Sequence, residues 1–224
     1  MSTSTRRGNS SRSGSSSRRG SPILETLGLF AIVFALQHVA VLFGLGVMTG
    51  LFVLAPPLDT NPWTVVTSVY AHGGLGHLLS NSVALVIFGW PIARATTRLR
   101  FHTFFVVTGA LAGISQVTIT EFTALVAGGG QAAGVLGASG AVFALMGYLL
   151  AGNRLSDGLA ARIEVPTWMA LVVFVVLAGA ITWLTAAPGV ALVAHFTGFL
   201  LGLVAGRMSL LEVRGMSGNT RTSA

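Results

Sequence analysis

Residues 165–206 read VPTWMALVVFVVLAGAITWLTAAPGVALVAHFTGFLLGLVAG, and none of these side chains is charged. A helix needs about 20 residues to cross the roughly 30 Å hydrocarbon core of a bilayer, so this stretch is long enough for two crossings. Ala187-Pro188-Gly189 interrupts it near the middle, and proline followed by glycine breaks a helix. The stretch therefore predicts two membrane-spanning helices joined by a short turn.

The same pattern recurs toward the N-terminus, where further uncharged stretches cover residues 26–58, 60–93, 101–120 and 122–153. Only 8% of the residues are charged, whereas an average soluble domain has about 25%. This composition excludes an ordinary soluble globule, a disordered protein and a nucleic-acid-binding domain. The sequence predicts an all-α, polytopic membrane protein.

We place six spans at residues 24–48, 75–93, 101–120, 135–152, 166–185 and 190–207. The arginines test this count, because cytoplasmic loops are enriched in arginine and lysine. All 13 cationic residues are arginines, and an even number of spans separates each group from the next. They therefore fall on one side of the membrane, which predicts a six-helix bundle with both the N- and the C-terminus in the cytoplasm.

The segments outside the spans differ in composition. Residues 1–22 are rich in serine and arginine, so we expect a disordered basic cytoplasmic tail. Residues 23–208 form the predicted membrane domain, and residues 209–224 a flexible cytoplasmic tail. Residues 49–74 read as a long apolar loop. The chain has no cysteine, which excludes disulfides and thiol nucleophiles.

Polar side chains inside membrane spans are energetically costly, so each one indicates a structural or functional role. His77 and Asn81 are four residues apart and share one face of the second span. Ser139 follows Gly137 at the start of the fourth span, where free backbone N–H groups favour a developing negative charge. His195 lies in the sixth span. Together they predict a serine nucleophile and a histidine base, with two side-chain donors.

Ridges of small residues would bring the serine and the histidine together, because they allow two helices to approach closely. The ridges are Gly140, Ala144 and Gly147 in the fourth span, and Gly198, Gly202 and Gly206 in the sixth. No carboxylate is available nearby, so the sequence predicts a dyad rather than a triad. Gln37 and His38 in the first span are more simply interpreted as contacts between helices.

Three motifs lie on the same predicted side of the membrane at similar depth. They are His72-x4-His77-x3-Asn81, the run Gly137-Ala138-Ser139-Gly140 continuing to Gly147, and Ala194-His195-Phe196-Thr197-Gly198 with Gly202. Trp63 precedes the first motif by nine residues. Together these residues resemble the rhomboid family of intramembrane serine proteases, and the resemblance extends from residue 63 to residue 206.

The resemblance implies a six-helix rhomboid-like bundle in which Ser139 is the nucleophile and His195 the general base. It also implies that His77, Asn81 and the Ser139 N–H stabilise the oxyanion. Other matched residues would shape the site or anchor the first loop: Gly137, Gly140, Phe143, Gly198, Gly202, Trp63 and His72. The family cleaves transmembrane helices of membrane-protein substrates near their outer ends, without metal, cofactor or ATP. The implied location is the plasma membrane, with the active site open to the extracytoplasmic side.

The sequence departs from the family pattern at three positions. Thr64 stands where the family often has arginine, and Ala93 stands where an acidic residue is frequent. Phe143 replaces a common tyrosine, so it can still stack on His195 but cannot donate a hydrogen bond.

Other functions were weighed against this one. A non-catalytic rhomboid-like protein that binds transmembrane helices remains an alternative, although such a protein should lack the serine or the histidine. A metalloprotease using His72, His77 and His195 would need a His-Glu-x-x-His motif, which the chain lacks. A transporter or channel is the last alternative. It should show internal repeats or ionisable residues along a midplane path, and neither is evident in the sequence.

Overall fold

The computed structural model describes residues 20–129, 133–152, 167–186 and 189–212. Within these ranges the regular secondary structure is helical, joined by turns and irregular segments that include an isolated pairing of Leu54 with Val135. In chain order the helices are α1 (Pro22–Leu42), α2 (Leu45–Phe52), α3 (Thr64–Tyr70), α4 (Leu75–Ala95), α5 (Arg98–Val126), α6 (Ser139–Ala151), α7 (Thr167–Leu184) and α8 (Leu192–Arg207). The predicted tails, residues 1–22 and 209–224, lie mostly outside the described ranges.

Three of these helices, α1, α4 and α5, are long and apolar enough to cross a membrane. Helices α6, α7 and α8 are shorter and also apolar. Each of the six predicted spans overlaps one of these six helices. The all-helical membrane architecture expected from the sequence is therefore confirmed for the described residues.

The two largest differences from the predicted spans are at the ends of helices. The sequence predicts a first span at residues 24–48, but α1 ends at Leu42 and a new helix starts after Gly44, whose φ of 115° is not helical. The third span was placed at residues 101–120, but α5 continues to Val126. Glu121 is exposed, so its charged side chain lies outside the packed helices and α5 continues past it.

The predicted apolar loop, residues 49–74, contains the end of α2 and all of α3. Leu54 and Val135 exchange two backbone hydrogen bonds of 2.9 and 2.8 Å. Trp63 donates from Nε1 to the carbonyl oxygen of Gly50 at 2.9 Å, which links α3 to α2. The segment is therefore bonded to itself and to the chain that enters α6.

Buried apolar side chains of the described residues form three clusters. Ala40, Phe52 and Ala71 form one of them, and the other two differ in size. The larger one lies between α1, α4, α5 and α6 and includes Phe30, Leu85, Phe101, Phe105 and Leu145. The smaller one lies between α7 and α8 and includes Ala178, Phe199 and Leu203. These clusters hold the helices around the pair α6 and α8.

Helices α6 and α8 touch through their backbones along both glycine ridges. A Cβ atom added at Gly198 would overlap the carbonyl oxygen of Gly140, and one added at Gly202 would overlap that of Ala144. These contacts advance along both helices in the same direction, so α6 and α8 run parallel. The predicted meeting of the two ridges is therefore confirmed.

Charged side chains cluster where α4 ends and α5 begins. Glu25 forms an ion pair with Arg98 and accepts a 2.8 Å hydrogen bond from Nε2 of His102, which ties α1 to α5. Arg100 donates to the carbonyl oxygen of Glu212 at 2.8 Å, just beyond the end of α8. The start of α5 and the end of α8 therefore lie at the same end of the bundle.

Candidate active site

A cavity of about 720 Å³ lies between α4, the start of α6 and the start of α8. Its lining includes Ser139, His195, His77 and Asn81, the four polar residues on which the sequence prediction depends. They come from three different helices, so the fold brings together residues that are far apart in the sequence.

Ser139 is the first residue of α6. Gly137 has φ of 134°, a conformation that favours glycine, and its N–H donates to the carbonyl oxygen of Ser68 at 2.9 Å. Because helix geometry leaves the first four N–H groups without an intrahelical acceptor, the Ser139 N–H belongs to the positive end of the helix dipole. The turn therefore presents both the hydroxyl and an N–H donor beside the cavity.

His195 is 8% exposed and lies one turn into α8. Phe143 stacks on its ring with the centroids 4.0 Å apart and an angle of 18° between the planes. Nδ1 of His195 is buried, and within the described residues it has no hydrogen-bond partner. Among the described residues, the ring is therefore oriented by stacking on Phe143, and no carboxylate bonds to it.

Ser139 and His195 share the cavity wall, but the described part of the chain shows no hydrogen bond between them. Catalytic hydrogen bonds are often long or poorly aligned before substrate binds. The observed arrangement places a hydroxyl and an imidazole beside the same space.

The ring of His77 has a defined hydrogen-bonding direction. The Gly73 N–H donates to Nδ1 of His77 at 3.4 Å. Because Nδ1 accepts this bond, a neutral ring carries its proton on Nε2. A Cβ atom at Gly137 would lie 2.8 Å from Nε2, so that nitrogen packs against the turn that carries Ser139. His77 thus offers an N–H donor next to the candidate nucleophile.

Asn81 is 5% exposed, and its Nδ2 donates to the carbonyl oxygen of His77 at 2.9 Å. An amide nitrogen carries two N–H groups, so one is left for the cavity. His77 and Asn81 therefore supply two side-chain donors from one face of α4, as their spacing predicts.

His72 lies behind the cavity instead of lining it. The side chain is 2% exposed, and its ring meets those of Phe30 and His77 edge-on, with centroid distances of 4.7 and 5.2 Å. Nδ1 is bonded to the carbonyl oxygen of Tyr70 at 3.1 Å. Burial, and secondarily the neighbouring His77, lower the pKa of His72 to about 4, so this ring is neutral at physiological pH.

Sequence reasoning missed Gln116, a buried amide in the middle of α5. Its Oε1 accepts a hydrogen bond of 3.1 Å from the backbone N–H of Ala194, directly before His195. The signal was present, because a glutamine inside an uncharged span is as unusual as a histidine. Gln116 helps to fix the start of α8 against α5.

Replacing Gly137 with alanine should lower both the activity and the free energy of unfolding. The new Cβ atom would lie 2.6 Å from Cε1 of His77 and would occupy a left-handed backbone conformation, which costs about 1–3 kcal/mol. Thermal unfolding and a cleavage assay would measure the two effects. Gly128→Ala is the matched control, because Gly128 also has a positive φ of 65° but meets no atom within 4 Å. Equal effects of the two substitutions would show that the contact with His77 is unimportant.

Comparison with known proteins identifies related sequences over the same region. The Rhomboid domain family matches residues 59–212. The Arabidopsis thaliana protein "RHOMBOID-like protein 5" is 31% identical over 150 residues, which cover 67% of this chain and 45% of that protein. The chain therefore spans less than half the length of this relative. The family match includes every cavity residue discussed above.

Proposed function

Because this chain belongs to the rhomboid family, we propose that it is an intramembrane serine endopeptidase that cleaves transmembrane segments of other membrane proteins. The observation that carries the proposal is the single cavity lined by Ser139, His195, His77 and Asn81. It combines a hydroxyl, a base and oxyanion donors, the three elements that acyl transfer needs.

In the proposed reaction, a substrate helix enters from the bilayer and partly unwinds into the cavity. Small or helix-weakening residues favour this step, because unsatisfied backbone groups are costly in lipid. The Ser139 hydroxyl oxygen then attacks the scissile carbonyl carbon while His195 accepts the hydroxyl proton. Stacking on Phe143 holds the imidazole during this transfer.

The negative charge that forms on the carbonyl oxygen needs donors that are already in place. The Ser139 N–H, Nε2–H of His77 and the second Nδ2–H of Asn81 are the proposed donors. Loss of one such donor in other serine hydrolases lowers kcat by about 10²–10³-fold. The contacts of Gly73 with His77 and of Asn81 with α4 support this role, since they orient both side chains before substrate arrives.

Collapse of the tetrahedral intermediate breaks the carbon–nitrogen bond, and His195 gives its proton to the leaving amine. Water then attacks the acyl-enzyme with His195 again as the base, which releases the second product and restores the Ser139 hydroxyl. The products are two shorter polypeptides, and water is the one co-reactant of the proposed reaction.

The proposal extends to the membrane topology. We place α1, α4, α5, α6, α7 and α8 across the plasma membrane, with the cavity open to the extracytoplasmic side. The tails 1–22 and 209–224 would then be cytoplasmic, and the partners would be transmembrane substrates and the surrounding lipid. Arg98 and Arg207 support this orientation, because they lie at the start of α5 and the end of α8, away from Ser139.

A panel of single-span reporter proteins tests this function. The purified protein in liposomes should cut reporters near the outer ends of their transmembrane helices, at small residues, and mass spectrometry would map each cut. Matched reporters with leucine in place of the helix-weakening residues should be cut more slowly. Reporters that are bound but never cut would instead favour a non-catalytic binder of transmembrane helices.

A further inference from the structure

Gln37 is a buried amide in α1, only 5% exposed, and both ends of its side chain are hydrogen-bonded to one residue. Oε1 accepts a 2.9 Å hydrogen bond from the backbone N–H of His72, and Nε2 donates a 3.3 Å hydrogen bond to its carbonyl oxygen. A buried amide without partners is costly, and in this pairing each end is satisfied. Gln37 therefore fixes the backbone at His72, shortly before α4 begins.

One peptide group connects the hydrogen bonds of Gln37 with the cavity. The carbonyl of His72 and the N–H of Gly73 belong to the same planar unit, so fixing the direction of one fixes the other. The Gly73 N–H donates to Nδ1 of His77. Glycines at 73 and 74 give this segment little side-chain support of its own, so the amide from α1 is a major restraint on its orientation.

We propose that Gln37 is a positioning residue for His77, holding the peptide between His72 and Gly73 so that Nε2–H of His77 faces the cavity. This inference rests on the proposed function. When the peptide is released, His77 is free to carry its proton on Nδ1. Nε2 then presents a lone pair to the oxyanion, which repels the negative charge instead of stabilising it.

A purely structural role for Gln37 predicts a different outcome. If the side chain only ties α1 to the bundle, its loss lowers the free energy of unfolding and leaves the chemistry of the folded protein unchanged. If it positions His77, its loss lowers kcat and leaves KM unchanged, because the oxyanion exists only in the transition state.

Gln37→Leu compared with His38→Leu separates these roles. His38 is the next residue and is exposed, and within the described part of the chain it bonds through Nδ1 only to the carbonyl oxygen of Phe34 in its own helix, at 2.8 Å. We expect Gln37→Leu to lower kcat about 10-fold, the lower end of the loss seen when the hydrogen-bond partner of a metal ligand is removed, and His38→Leu to leave kcat unchanged. Equal kcat values for the two variants would overturn the inference.

A double-mutant cycle with His77→Ala tests the route of the effect. If Gln37 acts through His77, Gln37→Leu should lower kcat in the wild type but not in the His77→Ala variant. An equal loss in both backgrounds would overturn the inference. Cleavage by the wild type that is lost in Ser139→Ala establishes the proposed function independently, so a failure here would concern Gln37 alone.

Nitrogen NMR of the wild-type protein keeps the inference testable even if the Gln37 variants do not fold. In protein labelled with ¹⁵N-histidine, the His77 signals are assigned by their loss in His77→Ala. We expect an unprotonated Nδ1 and a protonated Nε2, and the opposite tautomer would overturn the inference. In a folded Gln37→Met variant, whose side chain has a similar shape, the two tautomers should mix.

Discussion

Replacing Ser139 with alanine will abolish cleavage of a transmembrane reporter while leaving the helix bundle folded. Ser139 is the proposed nucleophile, and without its hydroxyl no acyl-enzyme forms. Loss of the nucleophile in a serine protease lowers kcat on the order of 10⁶-fold, which in a reporter assay is no detectable product. Alanine is the best helix former, so α6 should still begin at this residue.

Ser82→Ala is the matched control for this experiment. Ser82 lies in α4 next to Asn81, and among the described residues its hydroxyl bonds only to the carbonyl oxygen of Leu78, at 2.8 Å. The wild type and Ser82→Ala should cleave the reporter and react with a fluorophosphonate probe, whereas Ser139→Ala should do neither. Cleavage that persists in Ser139→Ala would contradict the assignment, and unreactive wild-type protein that binds the reporter would favour the non-catalytic alternative.

The second large effect is expected from Gly202→Ala in α8. The added Cβ atom would overlap the backbone carbonyl oxygen of Ala144, and a backbone atom in a packed helix has no free rotation by which to move away. Overpacking in a core typically costs about 1–3 kcal/mol and occasionally more. We expect a loss at or above this upper value, together with loss of cleavage, because the same contact sets the spacing between Ser139 and His195.

Gly28→Ala provides the control for that substitution. Gly28 also lies within a membrane helix, α1, but a Cβ atom there meets nothing within 4 Å. It should leave the unfolding free energy unchanged or raise it by up to about 1 kcal/mol, since alanine favours the helix. Thermal unfolding in detergent micelles and the reporter assay would measure both variants. Similar stability of the two variants would mean that the contact between α6 and α8 is looser than the structure indicates.

The cavity residues were predictable because polar side chains are rare and costly inside a membrane, so their positions indicate a functional site. Ser139 and His195 stand in stretches that are otherwise apolar, and the four-residue spacing of His77 and Asn81 follows from helix geometry. The glycine ridges predicted which helices meet. These inferences needed only local spacing and the cost of burying polar groups.

The features that the sequence did not predict depend on tertiary contacts or on backbone conformation. The partner of Gln37 is 35 residues away, and the bond from Gln116 to Ala194 joins residues 78 apart. The end of α1 depends on the positive φ of Gly44, which glycine permits but does not require. The predicted third span ends at residue 120, before the charge of Glu121, but α5 continues to Val126 because an exposed charge fits the end of a helix.

The glycine contacts between α6 and α8 also fix how far one helix is shifted along the other. A shift of α8 by one residue would move His195 by about 1.5 Å and rotate it by roughly 100°, and bulky side chains would then face the carbonyls of Gly140 and Ala144. A shift by four residues would restore a glycine match but carry His195 about 6 Å along the helix axis from its present position. The repeated glycines therefore restrict α8 to a few discrete positions along α6. Substitutions of neighbouring side chains should then leave the alignment of Ser139 with His195 unchanged.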